Sequence, residues 1–444
     1  MNSTSLSRRH FLQLAAGTSA LALAACVAPA AAPSTDGDGG GDMAPGEVHL
    51  LKWASFIAPA DEDMFAEAET WGAENNVEVQ IETINQNDIA ARLASAIQSQ
   101  DGPDAIQSND NWGYLFEENL LDVGDVVSDI EAAVGGTFFD DQVAFSKVGD
   151  TWRTVPWTII GNSHVYRKDM FEEVLGRSEW GIDTWEDYTA TATAMKEAGM
   201  PFGNSIGHSF GDPVSFWYPY LWCHGGSEVN EDATEVTLAS DETVSAINSA
   251  IELVNNGFAD GVVAWDDGSN NRSYLASEIS CTLNGASIYF VAKRDVQDVF
   301  EVSSHGLHPS GPAGRYSYMG GRSHGILSYS ENVDATKAFL VHMAKPEFYE
   351  GWLLTSEAYN VGPISGYNDE DVWSADENVL PFREAVNGGT SRWPGFPGPA
   401  NAAAFASRND YLVVDIFAKA VTGEMSAEEA AEWGAAEVAK RYGL

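Results

Sequence analysis

From residue 47 to residue 109, extended and helical signals take turns. "EVHLLKWASF" (47–56) begins as an apolar extended run. "VEVQIETI" (77–84) alternates apolar and polar residues with period two, the mark of a half-buried strand. Between them "DEDMFAEAETWGAEN" (61–75) reads as a helix. "NDIAARLASAIQSQ" (87–100) sets Ile89, Leu93 and Ile97 four apart on one helical face, and "GPDAIQSN" (102–109) is a strand entered through a turn. Such alternation predicts an α/β fold.

The pattern continues downstream. Thr184 with Asp187 three residues on predicts a helix start, and Gly199 its end. Ser240 predicts a cap for a second helix with Val244, Ile247, Ile251 and Val254 turned inward and Gly257 as its stop. Residues 332–358 read as two helices split at Pro346, and Ser426 with Glu429 forms a capping box for a last helix to about Arg441. There is no internal repeat. The chain has 444 residues, of which about 400 follow its leader and tether; that is too many for one core, so two lobes are expected.

The first 26 residues have no place in such a core. Arg8 and Arg9 precede an apolar run from Phe11 to Leu23, too short to cross a hydrocarbon layer that needs ~20 residues. The Ser-Arg-Arg-x-Phe-Leu order resembles a twin-arginine export signal. Leu23-Ala-Ala-Cys26 resembles a bacterial lipobox, which makes Cys26 the acylated residue; an ordinary secretory peptide and a transmembrane helix are the alternatives. Residues 27–46 are dominated by Ala, Pro, Gly, Ser and Asp and read as a disordered tether. A body exported and held at the outer face of the cytoplasmic membrane by a lipid anchor is the expectation.

Charge narrows the partners. Lys and Arg number 23 against 66 Asp and Glu, a net charge of −43. That excess repels nucleic acid and disfavours acidic substrates. The carboxylates are spread along the chain, so the acidity is a property of the whole surface and suggests a salty, halophilic setting; an acidic mesophilic extracellular protein is the alternative. Cys223 and Cys281 are expected to be buried free thiols, because a twin-arginine substrate folds before export in a reducing compartment; a disulfide between them is the alternative. No CxxC, HExxH or EF-hand spacing occurs, so no metal or cofactor is expected.

Three motifs in order carry a resemblance: "WRTVPW" (Trp152–Trp157), "YRKDMF" (Tyr166–Phe171) and "TWED" (Thr184–Asp187). "LASEISCTLNGASIY" and "GRSHGILSYSENVDATKAFLVHMAKPEFYEGWL" agree with them. The chain resembles the extracellular solute-binding proteins of ABC importers, specifically the maltose-binding-like carbohydrate group. The resemblance implies a periplasmic-binding-protein-like fold, with two α/β lobes joined by a multi-crossing hinge. Lobe one would be 47–157 plus 317–366, and lobe two 158–316 plus 367–444. A ligand would lie between them and drive closure. The implied partners are a sugar and the ABC permease subunits, with the receptor itself monomeric.

Sugar capture needs flat rings for C–H faces and polar side chains for hydroxyl edges. Trp53 and Ser55 stand where a strand ends, the usual place of ligand crevices in α/β sheets; a core tryptophan closing the sheet is the alternative for Trp53. Asn109, Asp110 and Asn111 form a polar group beside Trp112, either for ligand or as a helix cap; the resemblance aligns Asp110 with a sugar-binding acid. Trp157 and Asn162 flank the first crossing. Trp217 is the expected outward member of the aromatic run 216–222, although such a stripe is more often core. Trp265 and Asp266 are candidates for stacking and hydroxyl bonding, or a solvated loop. Asp266 and Asp267 are adjacent on the chain and point apart, so they are not read as a glycosidase pair. Asn284 sits where backbone can approach a ligand, and the resemblance places Tyr289 near a stacking aromatic. Gly320, Gly321 and Arg322 mark the second crossing, the glycines as hinge residues and Arg322 for ligand or as half of a buried ion pair, and Trp393 stands in a Pro/Gly loop.

The expected function is therefore a substrate-binding lipoprotein, catalytically inert, that delivers a sugar or oligosaccharide to a permease. The same architecture with a polyamine, peptide or other solute is the first alternative. A surface glycan-degrading enzyme is the second.

Overall fold

The computed structural model describes residues 46–109, 112–368, 373 and 376–444. The export signal, Cys26 and the tether up to residue 45 lie outside the described residues, as do Asp110 and Asn111.

A six-stranded sheet holds the first part of the chain. β1 (Gly46–Trp53) pairs in parallel with β2 (Val77–Ile84), Gly46 opposite Val77 and Trp53 opposite Ile84, and also with β3 (Ala105–Asn109). Helices Ala58–Asn75 and Gln86–Ser99 make the two crossovers. A small hairpin, β4 (Lys147–Val148) and β5 (Thr151–Trp152), precedes β6 (Val155–Ile160). A second, three-stranded sheet has β7 (Ser163–Arg167) at its centre, antiparallel to β8 (Cys281–Asn284) and β9 (Ser303–Gly306). The chain then returns to the first sheet as β10 (Gly321–Ile326), antiparallel to β3 and β6, and β11 (Asn360–Val361) completes it. The alternation read from sequence is therefore real, and both sheets are flanked by helices.

β10 and β6 slip register between Arg322 and Ser323: Arg322 faces Thr158 while Ser323 faces Pro156. Trp157 is the extra residue of this bulge. Pro156 brings no N–H to the ladder, so a bulge costs little here, and bulges re-aim the side chains beside them. Arg322 is one of those.

Two large apolar cores accompany the sheets, with a smaller third cluster of Val165, Tyr274, Ile279, Ile288, Ala292 and Val299. The first is built on Val48, Leu50, Ile106, Ile159 and Ile326, under Phe339 and Trp352. The second gathers Trp185, Tyr188, Phe216, Trp217, Tyr220, Leu253 and Phe417. The chain passes from one sheet to the other through Gly161 and Asn162, and back between residues 306 and 321. The first core also takes in Tyr289, Trp373, Val379, Phe382 and Val386, stretches expected with the other lobe. Phe382 packs on the bare backbone of Gly161 at the first crossing, where an added Cβ would lie 3.4 Å from the phenylalanine Cβ.

The helix boundaries follow their caps. Thr184 and Asp187 form a reciprocal capping box on helix Trp185–Glu197, and Ser426 and Glu429 do the same on helix Ala427–Tyr442. Pro346 opens helix Pro346–Thr355 after helix Val333–Met343 has ended. Helix Asp241–Gly257 is capped by Ser240, but its inward face is Ala246, Ile247, Ala250, Leu253 and Val254, with Val244 and Ile251 only half-buried. Gly257 lies inside the helix rather than in a left-handed stop. An added Cβ there would come within 2.6 Å of Ala192 Cβ, so its role is the close approach of two helices. Cys223 and Cys281 are both buried and free.

Candidate ligand cleft

The carboxyl ends of β1, β2 and β3 and the start of β10 open onto one cleft. An outer cavity of about 640 Å³ is lined by Trp53, Phe56, Gln86, Asn109, Trp112, Phe210, Asp266, Asp267, Arg408 and Tyr411, among others. It continues into an inner recess of about 80 Å³ that shares Phe56, Gln86, Phe210, Asp267 and Arg408 and adds Asn162, Asp212, Asn271, Asn284, Tyr318, Gly320, Arg322 and Tyr359. One wall thus comes from the six-stranded sheet. The other comes from loops and helices of the second core.

The first wall is an aromatic shelf. Phe56 stands edge-on to Trp53, ring centroids 5.4 Å apart, and to Tyr359 at 6.1 Å. Trp53 is nearly buried by the sheet, while Phe56 is 50 % exposed. The Arg322 guanidinium lies 4.8 Å from the Trp53 ring centroid and donates to Gln86 Oε1 at 3.2 Å. On the second wall Arg408 lies 4.4 Å from the Phe210 ring and donates to the Phe210 carbonyl at 3.1 Å. Rings backed by guanidinium planes offer flat, rigid surfaces.

Polar side chains close the recess. Asn162 Nδ2 donates to the Tyr318 carbonyl at 3.0 Å and so ties the two crossings together. Asn284 Nδ2 donates to Asn271 Oδ1 at 2.5 Å, and Ser287 Oγ to Asn284 Oδ1 at 3.4 Å. Asp267 accepts from Ser209 Oγ (2.7 Å) and from the backbone N–H groups of Asp212 (2.9 Å) and Gly211 (3.1 Å). Asp212 is different. Among the described residues no group lies within hydrogen-bond distance of its buried Oδ2, and burial followed by the charge of Asp267 pushes its carboxyl well above the usual range, against a smaller opposing pull from the Asn270 side chain. Asp266 lies at the outer cavity: it accepts from Ser269 Oγ (2.6 Å), Gly268 N–H (3.1 Å) and Arg272 (3.1 Å), and its carboxyl is held low, chiefly by Ser269. The adjacent acids therefore serve different surroundings and do not flank a common bond.

Of the residues expected from sequence, Trp53, Asn109, Asn162, Asp266, Asn284, Gly320 and Arg322 line the cleft. Ser55 sits just behind it, its Oγ accepting from Ile57 N–H at 3.1 Å as a turn. Gly321 begins a strand, and a Cβ there would meet Gln142 Oε1 at 2.4 Å; neither it nor Gly320 adopts a left-handed backbone, so close packing, not hinge freedom, explains Gly321.

Five expected aromatics lie elsewhere. Trp157 is core, between Tyr349 (4.8 Å) and Trp352 (5.0 Å). Trp217 is fully buried: residues 213–223 of its helix are buried on every side, so the run has no outward member. Trp265 drives its ring against Gly203, where a Cβ would come within 2.6 Å. Tyr289 donates to Asp376 at 2.9 Å and packs on Phe300. Trp393 donates to the Gly398 carbonyl at 3.0 Å, closing its loop on itself.

Phe56, Phe210, Asp212 and Arg408 were not singled out from sequence. Phe56 had a signal, an aromatic three residues past Trp53 at a strand end. Pro213 marked a helix start that places Asp212 in its first turn. Arg408 had none, because only tertiary folding brings helix Ala402–Asn409 to the cleft.

No curated protein sequence matches the chain. Solved structures do. A solute-binding protein of an ABC transporter from Thermotoga lettingae, bound with alpha-D-tagatose, is 16% identical with a TM-score of 0.75, covering 89% of this chain and 99% of its own. A receptor from Streptomyces glaucescens, solved unliganded and with acarbose, is 19% identical with a TM-score of 0.75, covering 90% and 99%. A maltose-bound protein of T. maritima is 18% identical with a TM-score of 0.74, covering 88% and 99%. At these identities the likeness establishes the fold, that of periplasmic-binding-protein-like receptors. The profile described as bacterial extracellular solute-binding protein matches residues 64–381, well over half of the sequence. The chain belongs to the bacterial extracellular solute-binding protein family.

Proposed function

We propose that this protein is the receptor subunit of an ABC importer and captures a sugar or oligosaccharide in the cleft. The observation that carries the reading is the shelf of Trp53, Phe56 and Tyr359 facing a recess of Asn, Asp and Arg side chains. Stacking rings and bidentate polar groups are what a pyranose requires, because each unmatched buried hydroxyl costs about 1–3 kcal/mol. The structural relatives named above bind tagatose, acarbose and maltose, which supports the same class here. Arg322 and Arg408 in the cleft oppose a polyamine, whose charges repeat along its length.

The two lobes correspond to the two large cores, and the chain crosses between them near residues 161–162 and 307–320 and again between Val386 and Leu412. The leader is a twin-arginine lipoprotein signal, Cys26 is acylated, and the monomeric receptor works at the outer face of the cytoplasmic membrane, where its closed form meets the permease. The surface is adapted to high salt. Calorimetry in molar salt over sugars, polyols, polyamines and amino acids tests the ligand class. A sugar that binds, and whose affinity drops in Phe56→Ala, supports the reading. Binding confined to polyamines or amino acids overturns it.

A further inference from the structure

Asp212 opens the helix Asp212–His224 and lines the inner recess. Among the described residues no group donates to its buried Oδ2. Asp267 lies against the same turn and takes the nearby donors: the Ser209 hydroxyl and the N–H groups of Gly211 and Asp212. Among the described residues, no Lys, Arg or His forms an ion pair with either carboxyl. The groups facing Asp212 are Asp267 and Asp266 on their loop, Asn270 on the helix Ser269–Leu275 and the Tyr359 phenol. Arg322 and Arg408 line the same recess but stack on Trp53 and Phe210. Two carboxyls therefore share a recess in which neither is held by an ion pair, and only Asp267 is matched by donors. In the free protein burial and the charge of Asp267 favour the neutral, protonated form of Asp212.

We propose that the inner recess receives the ammonium group of an amino sugar, with Asp212 as its counter-ion. The proposal rests on the sugar-binding reading and narrows it. A hydroxyl could also bond to Asp212, but it brings no charge, so the carboxyl would keep its proton. An ammonium brings three donors and one charge. It retains its protons, forms a charge-assisted bond to the carboxylate, and the proton of Asp212 leaves to solvent. The rest of the sugar ring lies against Phe56 and Tyr359.

The test is calorimetry of a glucosamine disaccharide with free amines against its N-acetylated form and the matching glucose disaccharide. Each titration is run in two buffers of different ionisation enthalpy at pH 6. The free amine should bind about 10- to 100-fold tighter than both comparators and release close to one proton per ligand. Asp212→Asn should abolish that preference and the proton release; Asp212→Ser serves as the second variant. Equal or tighter binding of the neutral disaccharide by the unaltered protein overturns the proposal while leaving the sugar-binding reading standing. So does an amine preference that survives both variants. Failure of all three sugars, with binding of a polyamine instead, overturns the sugar reading and this inference with it.

Discussion

The Arg322 guanidinium lies 4.8 Å from the centroid of the Trp53 ring and 5.9 Å from that of the Phe210 ring. One arginine therefore touches a ring from each wall of the cleft. The bulge between Arg322 and Ser323 aims it there, and Gln86 holds it. A planar guanidinium can stack on both rings, whereas a lysine ammonium cannot. Arg322→Lys should weaken ligand binding roughly tenfold, in line with ~1–2 kcal/mol for a desolvated cation–π contact. Calorimetry on the best sugar from the screen reads this, and unchanged affinity would remove Arg322 from the site.

Phe56 and Trp157 should separate binding from folding. Phe56 is half exposed at the cleft, so Phe56→Ala should change stability by less than about 0.5 kcal/mol while reducing affinity. Trp157 is buried among Tyr349, Trp352 and His324. Trp157→Ala should cost about 3–5 kcal/mol of stability and leave the folded fraction with near-native affinity. Denaturant titration and calorimetry of both variants give the four numbers. A stable Trp157→Ala protein that has lost binding would reverse the two roles.

How much of this was legible is itself a physical question. Local signals were reliable: capping boxes at Thr184 and Ser426, the split at Pro346 and the period-two strand β2 depend on residues within one turn or one strand. The cleft was legible only at strand ends. Trp53, Asn109 and Asn284 follow or finish strands, and strand ends face the cleft in this topology. Trp157 and Trp217 misled because a tryptophan looks alike in a core and on a wall; only packing against Tyr349 and Phe417 tells them apart. Arg408 could not be found, since its partner Phe210 is far away in the chain.

Gly257 offers a test of packing rather than turn chemistry. Its backbone lies so close to Ala192 that a new methyl would come within 2.6 Å of the alanine Cβ. Gly257→Ala should therefore destabilise by about 1–3 kcal/mol, although alanine is the better helix former. Ala192→Gly in the same chain should recover part of the loss. A stabilised Gly257→Ala protein would mean the helices part freely.

Buried histidines and a buried acid set opposite pH slopes. His305, His308 and His324 are pulled down to about 4, 3 and 3, in each case chiefly by burial, and His164, bonded to His308 at 2.8 Å, is also lowered. Their folded pKa values lie below the unfolded one. The stability they contribute is thus complete above about pH 6.5 and is lost as pH falls toward 3, by at most ~1.4 kcal/mol per pH unit for each group. Glu228 is raised to about 7 by burial, so its contribution is complete below about 4.5 and is lost as pH rises through 7. Glu228→Gln should therefore gain on the unaltered protein between pH 5 and pH 8, while Glu228 accepts from Gly395 N–H at 2.9 Å in either form. Denaturant midpoints at the two pH values decide; a parallel offset would show that Glu228 does not titrate with folding.

The surface charge makes the last prediction. With 66 acids against 23 basic side chains, most carboxylates have no cation to face. Ion pairs such as Lys337–Asp125 are exposed and contribute little, so repulsion among unpaired acids dominates the surface term. Screening shortens the reach of that repulsion from about 10 Å at 0.1 M salt to about 3 Å at 1 M. The melting temperature should therefore climb steeply with potassium chloride and flatten near molar concentration. Sulfate at equal ionic strength should add a further, continuing rise, because its exclusion from apolar surface does not saturate. Repeating the series at pH 4.5, where surface carboxylates begin to take up protons, should shrink the chloride gain and leave the sulfate gain. A chloride gain that is undiminished at pH 4.5 would mean that salt acts through apolar burial, and that the acidic surface is not what limits stability.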